Sequence, residues 1–173
     1  AITYQLKAVM PRDRSALVRE VGLAIVSVLV VAGASIAGQI ATYPNLASWY
    51  FALAKPPFNP PSWVFAPVWT ALYALMALAL WRVLRCPPES ARRVALIFFF
   101  VQLALNALWP WMFFGARSPA LGLVNIGPQL LVVLATIVLF YRLDSIAAWC
   151  LVPLAAWVAF AGVLNLSIWW LNT

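Results

Sequence analysis

Residues 54–73 read AKPPFNPPSWVFAPVWTALY. Pro56, Pro57, Pro60 and Pro61 come first, and an apolar run rich in Phe and Trp follows, with no charge until Arg82. A proline fixes its own φ and holds the residue before it extended, so the first half is a stiff connector with little entropy to lose. The run after it, residues 60–84, is as long as a bilayer crossing, which takes ~20 apolar residues. The stretch is therefore a rigid loop delivering the chain into a membrane-spanning helix, and Asn59 is placed to cap that helix with Pro60 at its first position.

Comparable runs lie at 20–41, 92–114, 119–141 and 146–170. The fold class that follows is all-α: an integral membrane bundle of five transmembrane helices over residues 19–173, behind an N-terminal segment at 1–18. Short connections make sequential helices antiparallel neighbours. Residues 86–90, CPPES, and residues 116–119, ARSP, are turns. Pro110, Pro128 and Pro153 fall inside spans, where they free backbone carbonyls and favour an irregular interior.

Composition agrees and excludes much. Of the 173 residues 66% are hydrophobic and 9% charged, and none is histidine. The carboxylates Asp13, Glu20, Glu89 and Asp144 all lie outside the apolar runs. No metal site and no Ser-His-Asp arrangement can be assembled from these side chains, and a coupled pump would lack its charged relay. Cys86 and Cys150 have no metal-ligand or disulfide-framework spacing. The net charge of +7 comes from residues flanking the spans, which argues against nucleic acid.

The same charges set an expected orientation. With the N-terminus inside, every Lys and Arg falls on inner segments except Lys55 and Arg117. The positive-inside rule then places the N-terminus in the cytoplasm and the C-terminus outside, most simply in a bacterial inner membrane. The first run also carries signal-like features around AGASIAG, but it continues through Ile40 and is long enough to span. Its Gly33, Ala34, Ala37 and Gly38 make a small-residue face for close helix packing.

An unpaired amide in hydrocarbon is costly, so amides inside spans face other helices or a cavity. Gln102 and Asn106 are four apart on the third helix, Asn125 and Gln129 four apart on the fourth, and Asn165 is on the fifth. At ~1.5 Å rise per residue, Asn106, Asn125, Asn165 and Trp69 lie roughly 8–12 Å below the outer helix ends. Gln102, Gln129, Tyr73 and Trp157 come slightly deeper. Aromatic stripes coincide with them: Phe65, Trp69 and Tyr73 on the second helix, Asn106, Trp109 and Phe113 on the third, Trp157 and Ala161 on the fifth. Flat rings and a few amides at one depth, without charge, describe a pocket for a planar hydrophobic ligand beneath the 41–60 loop. Residues 55–61 (Lys55, Pro56, Pro57, Phe58, Asn59, Pro60, Pro61) would be its lid.

Three segments carry a resemblance: residues 49–76, WYFALAKPPFNPPSWVFAPVWTALYALM; residues 102–114, QLALNALWPWMFF; and residues 151–172, LVPLAAWVAFAGVLNLSIWWLN. Together they resemble the translocator protein or tryptophan-rich sensory protein (TspO/MBR) family, also called the peripheral benzodiazepine receptor family, over nearly all of 18–172. The resemblance implies a five-helix bundle, commonly a homodimer in membrane lipid, that binds porphyrins and, in animal members, cholesterol and benzodiazepine-site drugs. It implies that Tyr50, Trp69, Asn106 and Trp157 line the ligand cavity, with Gln102 and Trp109 in the same third-helix motif.

The expected function is a receptor or sensor for protoporphyrin-type tetrapyrroles, with no cofactor required and no catalytic residue assigned. Light-dependent porphyrin breakdown and facilitated transport are the alternatives. Without histidine for axial ligation, metal-free porphyrin fits better than haem. The chain departs from the family pattern at two places. Phe58 stands where the family's loop, K-P-x-W-x-P-P, has its tryptophan, and the last helix lacks the Tyr followed by Lys or Arg of the animal cholesterol motif.

Overall fold

The structure, a computed structural model, describes residues 14–173. Among them five helices are long and apolar enough to cross a membrane, and no strand is present. They are α1 (Arg14–Leu46), α2 (Ser62–Arg85), α3 (Ser90–Pro110), α4 (Pro119–Tyr141) and α5 (Ser145–Leu171). The chain is thus an integral membrane protein, in which helices satisfy every backbone group without water. The segment expected at 1–18, with Lys7, Arg12 and Asp13, falls largely on residues 1–13, outside the described residues, while 14–18 already belong to α1.

Local chemistry sets the helix starts. Ser118 caps α4, its side chain accepting from the Leu121 N–H at 3.2 Å, with Pro119 at the first helical position. Asp144 caps α5 in the same way, accepting from Ala147 N–H at 2.9 Å. The start of α2 differs from the sequence expectation: it begins at Ser62, after Pro61, and Asn59 does not cap it. The reason is the proline pair. Pro61 holds Pro60 extended, so Pro60 cannot be a first helical residue. Asn59 instead accepts from the Tyr50 hydroxyl at 3.3 Å and donates to the Pro60 carbonyl at 3.1 Å.

The third span also changes character. After Pro110 the chain widens into a π-helical turn, Trp111–Gly115, in which Ala116 N–H reaches the Trp111 carbonyl at 2.8 Å. Pro110 cannot donate to the carbonyl four residues back, and the ladder resumes with a longer ring. The wider turn leaves both Phe113 and Phe114 buried although they are consecutive.

Helix contacts run around a ring in the order α1, α2, α5, α4, α3 and back to α1. The expectation that sequential helices are neighbours fails at one place. The backbones of α2 and α3, joined by the short 86–89 turn, are not close neighbours, since α1 lies against α3 and α5 against α2, and the two helices meet through long side chains such as Tyr73 and Asn106. Small residues permit this at α1. A Cβ on Gly38 would stand 3.1 Å from Pro110 Cγ, and the Trp111 indole N–H donates to the Ala37 carbonyl at 2.9 Å. Gly33, expected on the same packing face, has nothing near it.

Candidate functional site

A cavity of about 1110 Å³ occupies the ring, lined by all five helices and the 47–61 loop. That is slightly above the usual range for small-molecule sites, about 300–1,000 Å³. Its size has a sequence cause. Along the α1–α2 seam the facing residues are small: Ala32 and Ser35 on one side, Ala66, Thr70 and Ala74 on the other. Several of these are exposed, so the cavity opens along that seam toward the lipid.

Most of the residues expected at the site do converge on it. Tyr50, Trp69, Tyr73, Asn106, Trp109, Trp157, Ala161 and Asn165 all line the cavity, as does Gln129. From the loop, Lys55, Asn59 and Pro60 line it. Gln102 and Asn125 do not. Both are buried within the helix packing: Gln102 donates to the Met76 sulfur at 3.8 Å, while its carbonyl and both polar atoms of Asn125 lack a partner in the protein. Pro56 is buried, whereas Pro57, Phe58 and Pro61 are exposed, and none of the four lines the cavity. Phe58, at the family's tryptophan position, thus faces away from the interior.

Polar groups in the wall are tied to one another. The Tyr73 hydroxyl donates to Asn106 Oδ1 at 2.8 Å, joining α2 to α3. Trp109 Nε1 donates to Asn165 Oδ1 at 3.2 Å, and Asn165 Nδ2 donates to the Pro119 carbonyl at 2.8 Å, so one carboxamide joins α3, α4 and α5. Gly122 makes room for that joint, since a Cβ there would lie 2.5 Å from Asn165 Oδ1 and 2.9 Å from a Phe113 ring carbon.

Rings supply the rest of the wall. Trp69 and Tyr73 are 5.5 Å apart between centroids, and Trp109 stacks on Phe113 at 4.8 Å. Phe65 meets Trp157 edge-on at 5.9 Å. At the loop end, Trp49 and Tyr50 pack on Phe113 and Phe114, which anchors the loop to the π turn. Such ring pairs contribute about 0.5–1.5 kcal/mol each beyond their buried area. Burial raises the Tyr50 hydroxyl above the usual tyrosine range, with the Asn59 hydrogen bond opposing, and burial holds the Lys55 ammonium below the usual lysine range.

Sequence reasoning missed two contributors. One is the α1 wall, where Ser35, Gln39 and Thr42 line the cavity. A polar residue every three or four positions along an apolar helix was its available signal. The other is Asn172, whose side chain pairs with the Ala54 backbone in both directions, accepting at 3.0 Å and donating at 2.9 Å. It clips the loop to the end of α5, and nothing local in the sequence announces it.

At the opposite end, Arg82 grips Asp144 through Nε at 3.0 Å and a second nitrogen at 2.9 Å, and Arg85 pairs with Glu20 at 2.6 Å. Among the described residues no group of three or more metal-ligating side chains is present.

The TspO/MBR family profile matches residues 25–171. The chain is 42% identical over 131 residues to the tryptophan-rich protein TspO of Chlorobaculum tepidum, covering 75% of this chain and 83% of that protein. It is 40% identical over 124 residues to the translocator protein of Homo sapiens, covering 70% and 73% respectively. To the tryptophan-rich sensory protein of Cereibacter sphaeroides it is 41% identical over 124 residues, covering 72% and 77%.

Proposed function

The chain belongs to the TspO/MBR family, and from that premise we propose that it is a membrane receptor or sensor for porphyrins of the protoporphyrin IX type and related planar hydrophobic ligands. One observation carries the reading: a large cavity in which Trp69, Trp109 and Trp157 surround a few amides, with no metal-ligating cluster among the described residues. A macrocycle is flat, apolar and polarizable, and it gains most from offset or edge-on contact with aromatic rings in a water-poor site. Asn106, Gln129 and Asn165 would orient its polar atoms. With no histidine in the chain for axial ligation, a metal-free macrocycle fits the cavity better than tightly held haem. The names sensory protein and translocator protein borne by similar chains accord with a binding role.

The arginine-rich end, with Arg82, Arg85, Arg92, Arg93 and Arg142, is assigned to the cytoplasmic face, which puts the 47–61 loop outside. Titration of the protein in lipid nanodiscs with protoporphyrin IX, followed by tryptophan fluorescence, tests the proposal. Trp69→Phe and Asn106→Ala are each expected to weaken binding about three- to tenfold, the loss of one ring contact or one hydrogen bond. Unchanged affinity in both would move the site elsewhere.

A further inference from the structure

A polar bar divides the cavity. On α1, Gln39 Nε2 donates to Ser35 Oγ at 2.9 Å; Ser35 is hydrogen-bonded to the Tyr73 hydroxyl on α2, and that hydroxyl donates to Asn106 Oδ1 on α3 at 2.8 Å. All four side chains line the cavity. On the loop side of the bar lie Trp69, Trp109 and Asn165. On the other side, toward the arginine-rich end, the walls that α1 and α2 give the cavity are apolar throughout, with Ala24, Val28 and Ala32 on one helix and Ala74, Ala77 and Trp81 on the other. Val28 and Ala74 are exposed, so this half is a groove open to lipid. The Trp81 indole N–H donates to the Glu20 carbonyl at 3.3 Å and closes the groove at its far end.

The length of the groove matches one leaflet. From Ala24 to Ser35 it runs about 16 Å at ~1.5 Å per residue, and half of a hydrocarbon core of ~30 Å is about 15 Å. The alanines hollow it, so an acyl chain lying there gains dispersion contact from two helices at once.

Its closed end is basic. Among the described charged residues of α1 and α2, Arg14, Arg19, Arg82 and Arg85 stand against a single carboxylate, Glu20. The Arg85 guanidinium lies 4.4 Å from the centroid of the Trp81 ring and pairs with Glu20, which places this charge beside the floor of the groove. Basic side chains at a membrane surface attract anionic headgroups.

We infer that the half of the α1–α2 seam next to the arginines is a binding groove for an anionic phospholipid, with one acyl chain between Trp81 and the Ser35–Tyr73 bar and the headgroup at the arginines. The groove is separate from the aromatic chamber beyond the bar, and the inference does not depend on the porphyrin reading.

Phosphatidylglycerol carrying a diazirine in one acyl chain tests it, at low content in phosphatidylcholine bilayers that hold the protein, with the labelled residues mapped by mass spectrometry. Leu131, Leu134 and Val138, on the exposed face of α4, report ordinary lipid contact. Ala24, Val28 and Ala77 are expected to be labelled about tenfold more than these. Phosphatidylcholine bearing the same chain should label the groove about threefold less than phosphatidylglycerol does, and Arg19→Gln should narrow that difference. Ala74→Phe, which fills the groove from its exposed side, should suppress labelling there and leave that of α4 unchanged, which also reports an intact fold. Equal labelling of groove and α4, equal labelling of the groove by the two headgroups, or groove labelling that survives Ala74→Phe would overturn the inference.

Discussion

Gly122, Asn165 and Trp109 show how much one position can decide. The carboxamide of Asn165 bonds to Trp109 and to the Pro119 carbonyl only because residue 122 has no Cβ. Gly122→Ala is expected to cost about 1–3 kcal/mol through overpacking. The cost should be smaller in an Asn165→Ala background, where only Phe113 must yield; equal losses of thermal stability in the two backgrounds would refute the coupling. At this scale the sequence was partly legible. An amide in an apolar helix must face a partner, and Asn106 and Asn165, picked out on that ground, both line the cavity. It placed Gln102 and Asn125 in the same cavity, whereas both are enclosed by helix packing. Helical periodicity gives a face and a depth, but whether a face meets a void or a neighbour depends on the size of residues on other helices.

Four of the helices were readable to within about four residues, because length, hydropathy and the proline punctuation are local properties, whereas α1 (Arg14–Leu46) extends beyond the expected 20–41 at both ends. Where they misled, a neighbouring residue intervened. Pro61 denies helical geometry to Pro60, and Pro110 converts the last turn of the third span into a π turn. The loop at 47–61 is stiff by composition, yet its position is set from afar by Asn172 and by the packing of Trp49 and Tyr50 on Phe113 and Phe114. Asn172→Ala removes both hydrogen bonds to Ala54 and the one to the Ile168 carbonyl, each worth about 1 kcal/mol or less. Hydrogen exchange at the Ala54 amide should accelerate about tenfold, and peptides from the middle of α5 should be unaffected. An unchanged rate at Ala54 would mean that the aromatic anchor alone holds the loop.

Across the whole molecule, the ring is closed at one end by aromatic packing and at the other by charge. Arg82 on α2 holds Asp144 at the junction of α4 and α5, and its hydrogen bonds keep that carboxyl below the usual carboxylate range. A depressed carboxylate pKa adds stability that is fully present above the unfolded value, near 4, and is lost as the pH falls through the folded value. The apparent melting temperature in detergent should therefore drop by a few degrees as the pH is lowered from about 5 toward 3. Asp144→Asn, which keeps a capping side chain but not the charge, should start lower at neutral pH and show a shallower decline. A decline as steep as that of the unaltered chain would assign the acid sensitivity to another group.

What the sequence determined by itself was everything that depends on residues near one another along the chain: five spans, a rigid loop, and the depth at which rings and amides fall. Those follow from the cost of exposing backbone to lipid and from the fixed rise of a helix. Tertiary structure alone decided the order of helices around the ring, the void left by small residues along the α1–α2 seam, and the clip from Asn172 to Ala54. Each of these rests on the fit between side chains far apart in the chain, where volume and geometry, not local pattern, select the partner.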